Sequence, residues 1–393
     1  MVAAPRLLNR RIALLWLAGV DLRLTLLAVP PLLPIIHQSL KLDESGIAAL
    51  TNLPVLLLSA AAIPGSLAIA RFGAKGALII GLWLIAVGTL LRGAGSSIPI
   101  LFLMTFVMSI GIAMAQPALP TLVRLWEPGR ISFATSVWAN GLLFGEAISA
   151  SLTIPVVLPL FAGAWEPSLG VWGIPVALTA IAFMITPVPR AVVDTAVRAL
   201  WLPNFRDSRV WKIGIFQSAS SLTYFGANTF IPDYLHAIGR PELVAPCLSA
   251  LNIGQLPASL IIGLIPLRIV GRRETSLLVA AGIIAALAAF IVAPGIPSIV
   301  ASATFGLCAA YILVLSFALP PLIAQGPDVG RLSAGTFTIG YAISFLITEL
   351  AGAVWDFTHQ PVLAFLPLIF AAAIVVALGT RLGALIVRIG ERA

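Results

Sequence analysis

Charge is scarce in this chain. Only 10% of its 393 residues are Asp, Glu, Lys or Arg, and only 15 are acidic. A soluble surface on a chain of this length needs about a quarter of its residues charged, so the composition excludes cytosolic enzymes, secreted domains and disordered chains. Cysteine is nearly absent. Cys247 and Cys308 stand far apart in apolar surroundings without a CxxC, which leaves no disulfide framework and makes both packing residues. The three histidines, His37, His236 and His359, follow no metal-ligand spacing. They fall near helix ends, where they serve structure or sense external pH. A Walker loop, a GxSxG elbow, an HExxH pair and a dinucleotide fingerprint are all missing, so the sequence predicts no enzyme, no cofactor and no metal.

What is present is apolar length. Hydrophobic residues make up 60% of the chain and mean hydropathy is +1.07. A bilayer core about 30 Å thick takes about twenty apolar residues per helix, and the runs are too long for the alternating pattern of a β-barrel. Polar and Gly/Pro breaks divide the chain into twelve expected spans: 11–36, 44–70, 77–95, 98–124, 133–160, 168–189, 210–238, 244–270, 275–294, 297–325, 334–358 and 361–388. Bends are expected at Pro30, Pro34, Pro117, Pro120, Pro155, Pro232 and Pro257. Arg10-Arg11 before an apolar run imitates a signal peptide, but Asp21 and Arg23 interrupt the run and no cleavage site follows. It reads as a mature first helix.

The net charge of +8 suits nucleic acid poorly, because the basic residues form no stripe with interleaved aromatics. It does suit a topology. Placing both termini in the cytoplasm puts the basic loops on that side, including Arg71, Lys75, Arg124, Arg130, Arg190, Arg198, Arg206, Arg209, Lys212, Arg272, Arg273 and Arg331. Only Lys41, Arg92 and Arg240 fall on the other side, with Arg23 inside the membrane. Trp165, Trp172, Trp201, Trp211 and Trp355 are expected near the membrane interfaces.

The polar stretch 190–209 separates two halves that repeat each other. Leu24-Thr25 ahead of Pro34 and His37 matches Leu222-Thr223 ahead of Pro232 and His236. Gly73-Ala74-Lys75 matches Gly271-Arg272-Arg273, and Gly129-Arg130-Ile131-Ser132 matches Gly330-Arg331-Leu332-Ser333. Three matches at nearly one offset predict parallel repeats. The fold class is therefore an all-α membrane protein with twelve transmembrane helices in two pseudo-symmetric six-helix bundles. The expected bundles are residues 1–189 and 210–393, joined by a cytoplasmic linker at 190–209.

These features resemble the major facilitator superfamily and, within it, the cyanate and 2-nitroimidazole porter family. The resemblance runs from about residue 12 to 357. It rests on Asp21-Leu22-Arg23 followed by Pro31-Leu32-Leu33-Pro34, on Gln116 through Pro120, and on Trp138, Tyr224 with Ile231-Pro232, and Gly254-Gln255. Three departures stand out. Ala70 replaces the acidic residue expected before Arg71-Phe72-Gly73 and Lys75, Asp21 stands where asparagine is expected, and Glu146 replaces a small residue.

A charge at mid-membrane costs at least about 2.5–3.5 kcal/mol and is a functional candidate by default. Asp21, Arg23, Glu146 and Glu349 qualify. Arg23 keeps its proton and carries a planar fork suited to a planar or linear anion. The resemblance places it on the central cavity, while an internal pair with Asp21, Glu146 or Glu349 is the structural alternative. Asp21, about 200° around the helix from Arg23, aims at another neighbour, toward the fifth span or the cytoplasmic end. Asp21, Glu146 and Glu349 are candidates for proton coupling. Among the polar groups within spans, Asn52, Gln116, Asn140, Tyr224, Asn228, Asn252, Gln255, Tyr311 and Tyr341 serve as interhelical glue or as ligands. Gln116, Trp138, Asn140, Tyr224, Asn228 and Gln255 join Arg23 as the expected substrate-binding set.

Together these point to a secondary transporter of the bacterial inner membrane, a monomer in lipid, moving a small anion or compact polar solute by alternating access. The expected class is cyanate, nitrite or nitrate, or a nitro compound, with protons as a possible co-substrate and no nucleic acid partner. Two other readings stay open. One is proton-driven multidrug efflux, against which a buried arginine argues where the cargo is cationic. The other is a non-transporting receptor or scaffold in which Arg23 only locks helices.

Overall fold

The first membrane pass is weakest as a continuous helix around residues 25–28, because Pro30 and Pro31 lack the N–H groups that the carbonyls of Leu26 and Leu27 would need. The computed structural model, which describes residues 9–42, 44–187, 201–265 and 267–383, breaks the pass there. α1 (Arg10–Leu24) ends, four residues turn, and α2 (Val29–Leu40) continues. Next come α3 (Glu44–Ala60), α4 (Ala62–Arg92), α5 (Ile98–Ala115), α6 (Ala118–Trp126) and α7 (Ile131–Leu152). α8 (Trp165–Gly170) and α9 (Gly173–Met184) complete the first half. The second half contains α10 (Ser208–Ala237), α11 (Val244–Leu264), α12 (Arg273–Val292), α13 (Ile296–Ile323), α14 (Asp328–Thr358) and α15 (Leu366–Ile374). Short helical turns join them, and no strand forms among the described residues.

Among the described residues, ten stretches are long and apolar enough to cross a membrane by length and composition. α10 has the length, but Arg209, Lys212, Gln217 and a run of serines make it more polar. Within α4 the backbone breaks at Gly73, whose φ of 75° and ψ of 165° are non-helical. That left-handed φ favours glycine. Residues 44–72 and 74–92 therefore run as separate passes, and the described helices fit the expected twelve. The proline bends vary. The chain breaks at Gln116–Pro117 and forms a π-helical turn across Pro155, whereas Pro34, Pro232 and Pro257 stay inside α2, α10 and α11.

Helices pack most closely within each half: α4 with α5, α1 with α7, α11 with α13, and α10 with α14. The pairing of α1 with α7 echoes that of α10 with α14, as the sequence repeat requires. Glycines set the α1–α7 distance. A Cβ on Gly19 would collide with the Trp138 carbonyl, one on Gly141 with that of Trp16, and one on Gly145 with that of Val20. Backbones can approach this closely only where side chains are missing, the small-residue packing of membrane helices.

Cross-half hydrogen bonds run from the middle of the molecule toward its basic end. Ser59 and Thr338 exchange reciprocal hydroxyl-to-carbonyl bonds of 3.0 Å. Arg124 Nη1 donates to Pro321 O at 3.0 Å, and Asn140 Nδ2 donates to Leu256 O and Ser259 Oγ at 3.1 and 3.0 Å. The described end of the linker is held from both sides, with Ser66 Oγ donating to Trp201 O at 2.6 Å and Arg331 Nε to Leu202 O at 3.1 Å.

Several expectations fall outside the described residues. These are most of the linker, including Arg190, Asp194 and Arg198, both chain ends, and the side chain of Asn52. Trp165 and Trp172 are buried inside the protein instead of facing an interface, and Trp172 Nε1 donates to Thr153 Oγ1 at 3.2 Å. With Ala70 in the acidic position before Arg71, the basic loop holds its neighbour differently. Lys75 Nζ donates to Thr186 O at 2.7 Å, just past the end of α9, where helix carbonyls favour a cation.

Candidate substrate site

Arg23 lies in the last turn of α1, 3% exposed, at the seam between the halves. Its Nη2 donates to the Tyr341 hydroxyl of α14 at 2.9 Å, and Gln116 Nε2 donates to the same oxygen at 2.8 Å. One phenol from the second half thus accepts two donors from the first. Glu146 of α7 approaches from the side, with Oε1 3.4 Å from Arg23 Nε. The close α1–α7 packing through Gly141 and Gly145 brings this carboxylate to the guanidinium. Aromatic rings complete the surround, for the Arg23 Cζ lies 5.8 Å from the Phe225 ring centroid and 5.9 Å from that of Tyr341.

The pairing is loose. A firm guanidinium–carboxylate pair has contacts of about 2.7–2.9 Å and is frequently bidentate, whereas this one is longer and single, and Arg23 Nη1 makes no protein hydrogen bond. A buried guanidinium with spare donor capacity, one loosely held carboxylate and a neutral phenol can take a second acceptor.

Tyr224 of α10 extends the cluster. Its hydroxyl donates to Asn252 Oδ1 at 2.9 Å and lies within interaction range of Glu146 and Gln255. Asn228, one turn further along α10 on the same face, is half-buried. Trp138 is fully buried and stacks on Phe317 with centroids 4.8 Å apart and an interplanar angle of 3°. Phe317 in turn meets Phe337 edge-on, so Trp138 joins the aromatic wall between the halves. Asn140 is committed to structure, accepting from Trp16 Nε1 at 3.0 Å while donating across to α11.

The remaining acidic candidates are elsewhere. Asp21 is buried, but its neighbour is the Thr179 hydroxyl of α9, in the sixth span. The 200° offset from Arg23 turned it away as expected, toward a helix other than the fifth. Glu349 is exposed on α14, eight residues and about 12 Å of helix beyond Tyr341. Of the three carboxylates expected as partners for Arg23, the structure brings Glu146 to it. Among the described residues no group of His, Cys, Asp and Glu is arranged to hold a metal.

Two residues gain a role that the sequence reading did not assign. Tyr341 was one of several polar groups within spans, and only its position opposite Arg23 singles it out. Arg92 was expected on the outer surface; it is completely buried, and its Nη2 donates to Thr25 O at 2.7 Å. The signal available was the span length, since a helix continuing to residue 92 places that arginine inside the apolar run.

Comparison with known proteins gives the geometry its context. Over 396 aligned residues the chain is 22% identical to an uncharacterized transporter, YycB, of Bacillus subtilis, covering 95% of each chain. It is 25% identical to the cyanate transport protein CynX of Escherichia coli, over 62% of this chain and 64% of that one. A 2-nitroimidazole transporter of Escherichia coli is 25% identical over 61% of each chain. The fold matches the crystal structure of the Escherichia coli fucose:proton symporter FucP with a TM-score of 0.72 at 16% identity, covering 94% of this chain and 98% of that one. It matches the proton:xylose symporter XylE at 0.73 and 14%, over 94% of each chain. The model of the Major Facilitator Superfamily matches residues 15–348. With that match over most of its length and a helical fold to go with it, this chain is a secondary transporter, not an enzyme, and belongs to the Major Facilitator Superfamily.

Proposed function

We propose that the cargo is a small anion of the cyanate, nitrite or nitrate kind, or a compact polar nitro compound, bound at Arg23 and carried across the bacterial plasma membrane by alternating access. The observation that carries this reading is the Arg23 guanidinium, buried at the seam between the halves with unused donors beside one loosely placed carboxylate. A fixed cation attracts an anion and disfavours a cationic drug. Gln116, Tyr341 and Tyr224 add neutral hydrogen-bonding groups around it, and the names of two relatives, a cyanate transport protein and a 2-nitroimidazole transporter, support the class.

Charge balance suggests the coupling. Arg23 and Glu146 together are neutral, so an incoming anion leaves the pocket negative unless a proton joins Glu146. Burying an uncompensated charge costs several kcal/mol, which favours entry of the anion and one proton together. An anion accumulating against an inside-negative potential needs such a cation. The cross-half hydrogen bonds lie toward the basic end, the cytoplasmic side if positive loops stay inside, so in this state the site would be reached from the opposite side.

The test is uptake of cyanate, nitrite and nitrate by wild-type protein in proteoliposomes at two pH values. Saturable uptake of one of these, faster at lower external pH, is the expected result. Transport of lipophilic cations in place of all three would substitute drug efflux for this reading. Binding without any vesicle uptake would make the protein a receptor.

A further inference from the structure

We propose that Arg92 is a positioning residue, pinning the break between α1 and α2 and so holding Arg23 at the seam. The proposal rests on the reading of Arg23 as the anion contact, although its structural half can be tested without any cargo.

The break is where the first pass would otherwise be floppy. With Pro30 and Pro31 following, the carbonyls of Leu26 and Leu27 have no helical donor, and the last turn closes on the Arg23 carbonyl, which accepts from both Leu26 N and Leu27 N at 3.1 Å. The backbone of the anion contact is thus itself part of the break. Thr25, the C-terminal cap of α1, would offer its carbonyl to nothing in a helix that stops there, but Arg92 Nη2 takes it at 2.7 Å. Arg92 is the last residue of α4 and is fully buried. No ion pair of Arg92 is found among the described residues, and its Nε and Nη1 make no protein hydrogen bond. A charge so buried and lacking a carboxylate partner is stabilised by the carbonyl end of its own helix and by that of α1, where Nη2 makes its hydrogen bond.

This arrangement couples α4 to the last turn of α1. If the guanidinium is removed, the Thr25 carbonyl loses its partner and the turn carrying Arg23 is free to shift. Lysine retains the charge and N–H donors on a single nitrogen, glutamine retains donors without the charge, and methionine has neither.

The experiment combines two readouts on Arg92→Lys, Arg92→Gln and Arg92→Met in lipid nanodiscs and proteoliposomes. The first is the distance between spin labels at Ser39→Cys on α2 and Leu103→Cys on α5. Both are exposed, whereas the native Cys247 and Cys308 are buried. The second is the KM for nitrite uptake. A single narrow distance in wild type and the lysine variant, with broadening in the glutamine and methionine variants, is expected. KM should rise about tenfold in the latter two, the equivalent of one charge-assisted hydrogen bond, with partial rescue by lysine. Unchanged distances and KM in the glutamine variant, with only a lower melting temperature, would make Arg92 a stability residue and overturn the proposal, and failure of the methionine variant to fold leaves that comparison intact. Wild-type protein that takes up no nitrite, cyanate or nitrate would sink the cargo reading alone, since the label distances still decide whether Arg92 pins the break.

Discussion

Tyr341 and Arg23, 318 residues apart in sequence, meet at 2.9 Å across the seam of the molecule. Because Gln116 donates to the same phenolic oxygen at 2.8 Å, the contact is both part of the site and a fastening between the two halves. If the proposed site is the binding site, ligand binding and the state of closure share one atom.

Removing that oxygen while keeping the ring isolates the two roles. Tyr341→Phe should leave the ring contacts with Phe337 and Arg23 intact, lower the melting temperature in detergent by about 1–3 °C and alter the KM for the transported solute. An unchanged KM would leave Tyr341 as a fastening alone.

The guanidinium should not be replaceable by another cation. Arg23→Lys places a point charge where a planar fork stood, and uptake should fall at least about tenfold, as expected for one lost charge-assisted bond. Arg23→Ala should abolish uptake. Wild-type kinetics in both variants, measured on equal amounts of folded protein in proteoliposomes, would assign Arg23 to structure.

The proposed coupling through Glu146 predicts a pH dependence. On the proposed reading, in which a proton enters with the anion, wild-type uptake should rise as external pH falls and should accumulate the anion when a proton gradient is imposed. Glu146→Gln, permanently neutral, should equilibrate the anion without accumulating it, at a rate flat with pH. Gradient-driven accumulation by that variant would move the coupling elsewhere, with the buried Asp21 as the next candidate.

Gly145 tests the packing that delivers Glu146. A Cβ there collides with the Val20 carbonyl, so Gly145→Val should force α1 and α7 apart. Overpacking of this kind costs about 1–3 kcal/mol, and the variant should show reduced thermal stability and weakened uptake together. A variant as stable and active as wild type would mean that the helices have room to spare.

Much of the architecture was legible in the chain itself. Apolar run length, the positions of Arg and Lys, and the paired Gly-Arg motifs around residues 129 and 330 depend only on what a bilayer tolerates, a constraint strong enough to be read in one dimension. The candidate site was legible in part. Arg23 and Glu146 stand out because charge in an apolar run is rare, but Glu349, a coupling candidate on the same ground and at a similar place in the second half, does not share the site: Glu146 is buried beside Arg23 and Glu349 is exposed. Helix phase separates them, and a repeat with offsets that differ by a few residues does not preserve phase.

By itself, then, the sequence determined that this protein crosses a membrane on repeated helices and keeps a permanent cation inside one of them, because the hydrophobic effect and the cost of burying charge act residue by residue. Only the tertiary structure decided that Tyr341 and Glu146 face Arg23, that Asp21 turns to Thr179, and that Arg92 is drawn inward to the Thr25 carbonyl. Those outcomes depend on helix rotation and on backbones brought together by absent side chains, and they arise only when distant segments pack.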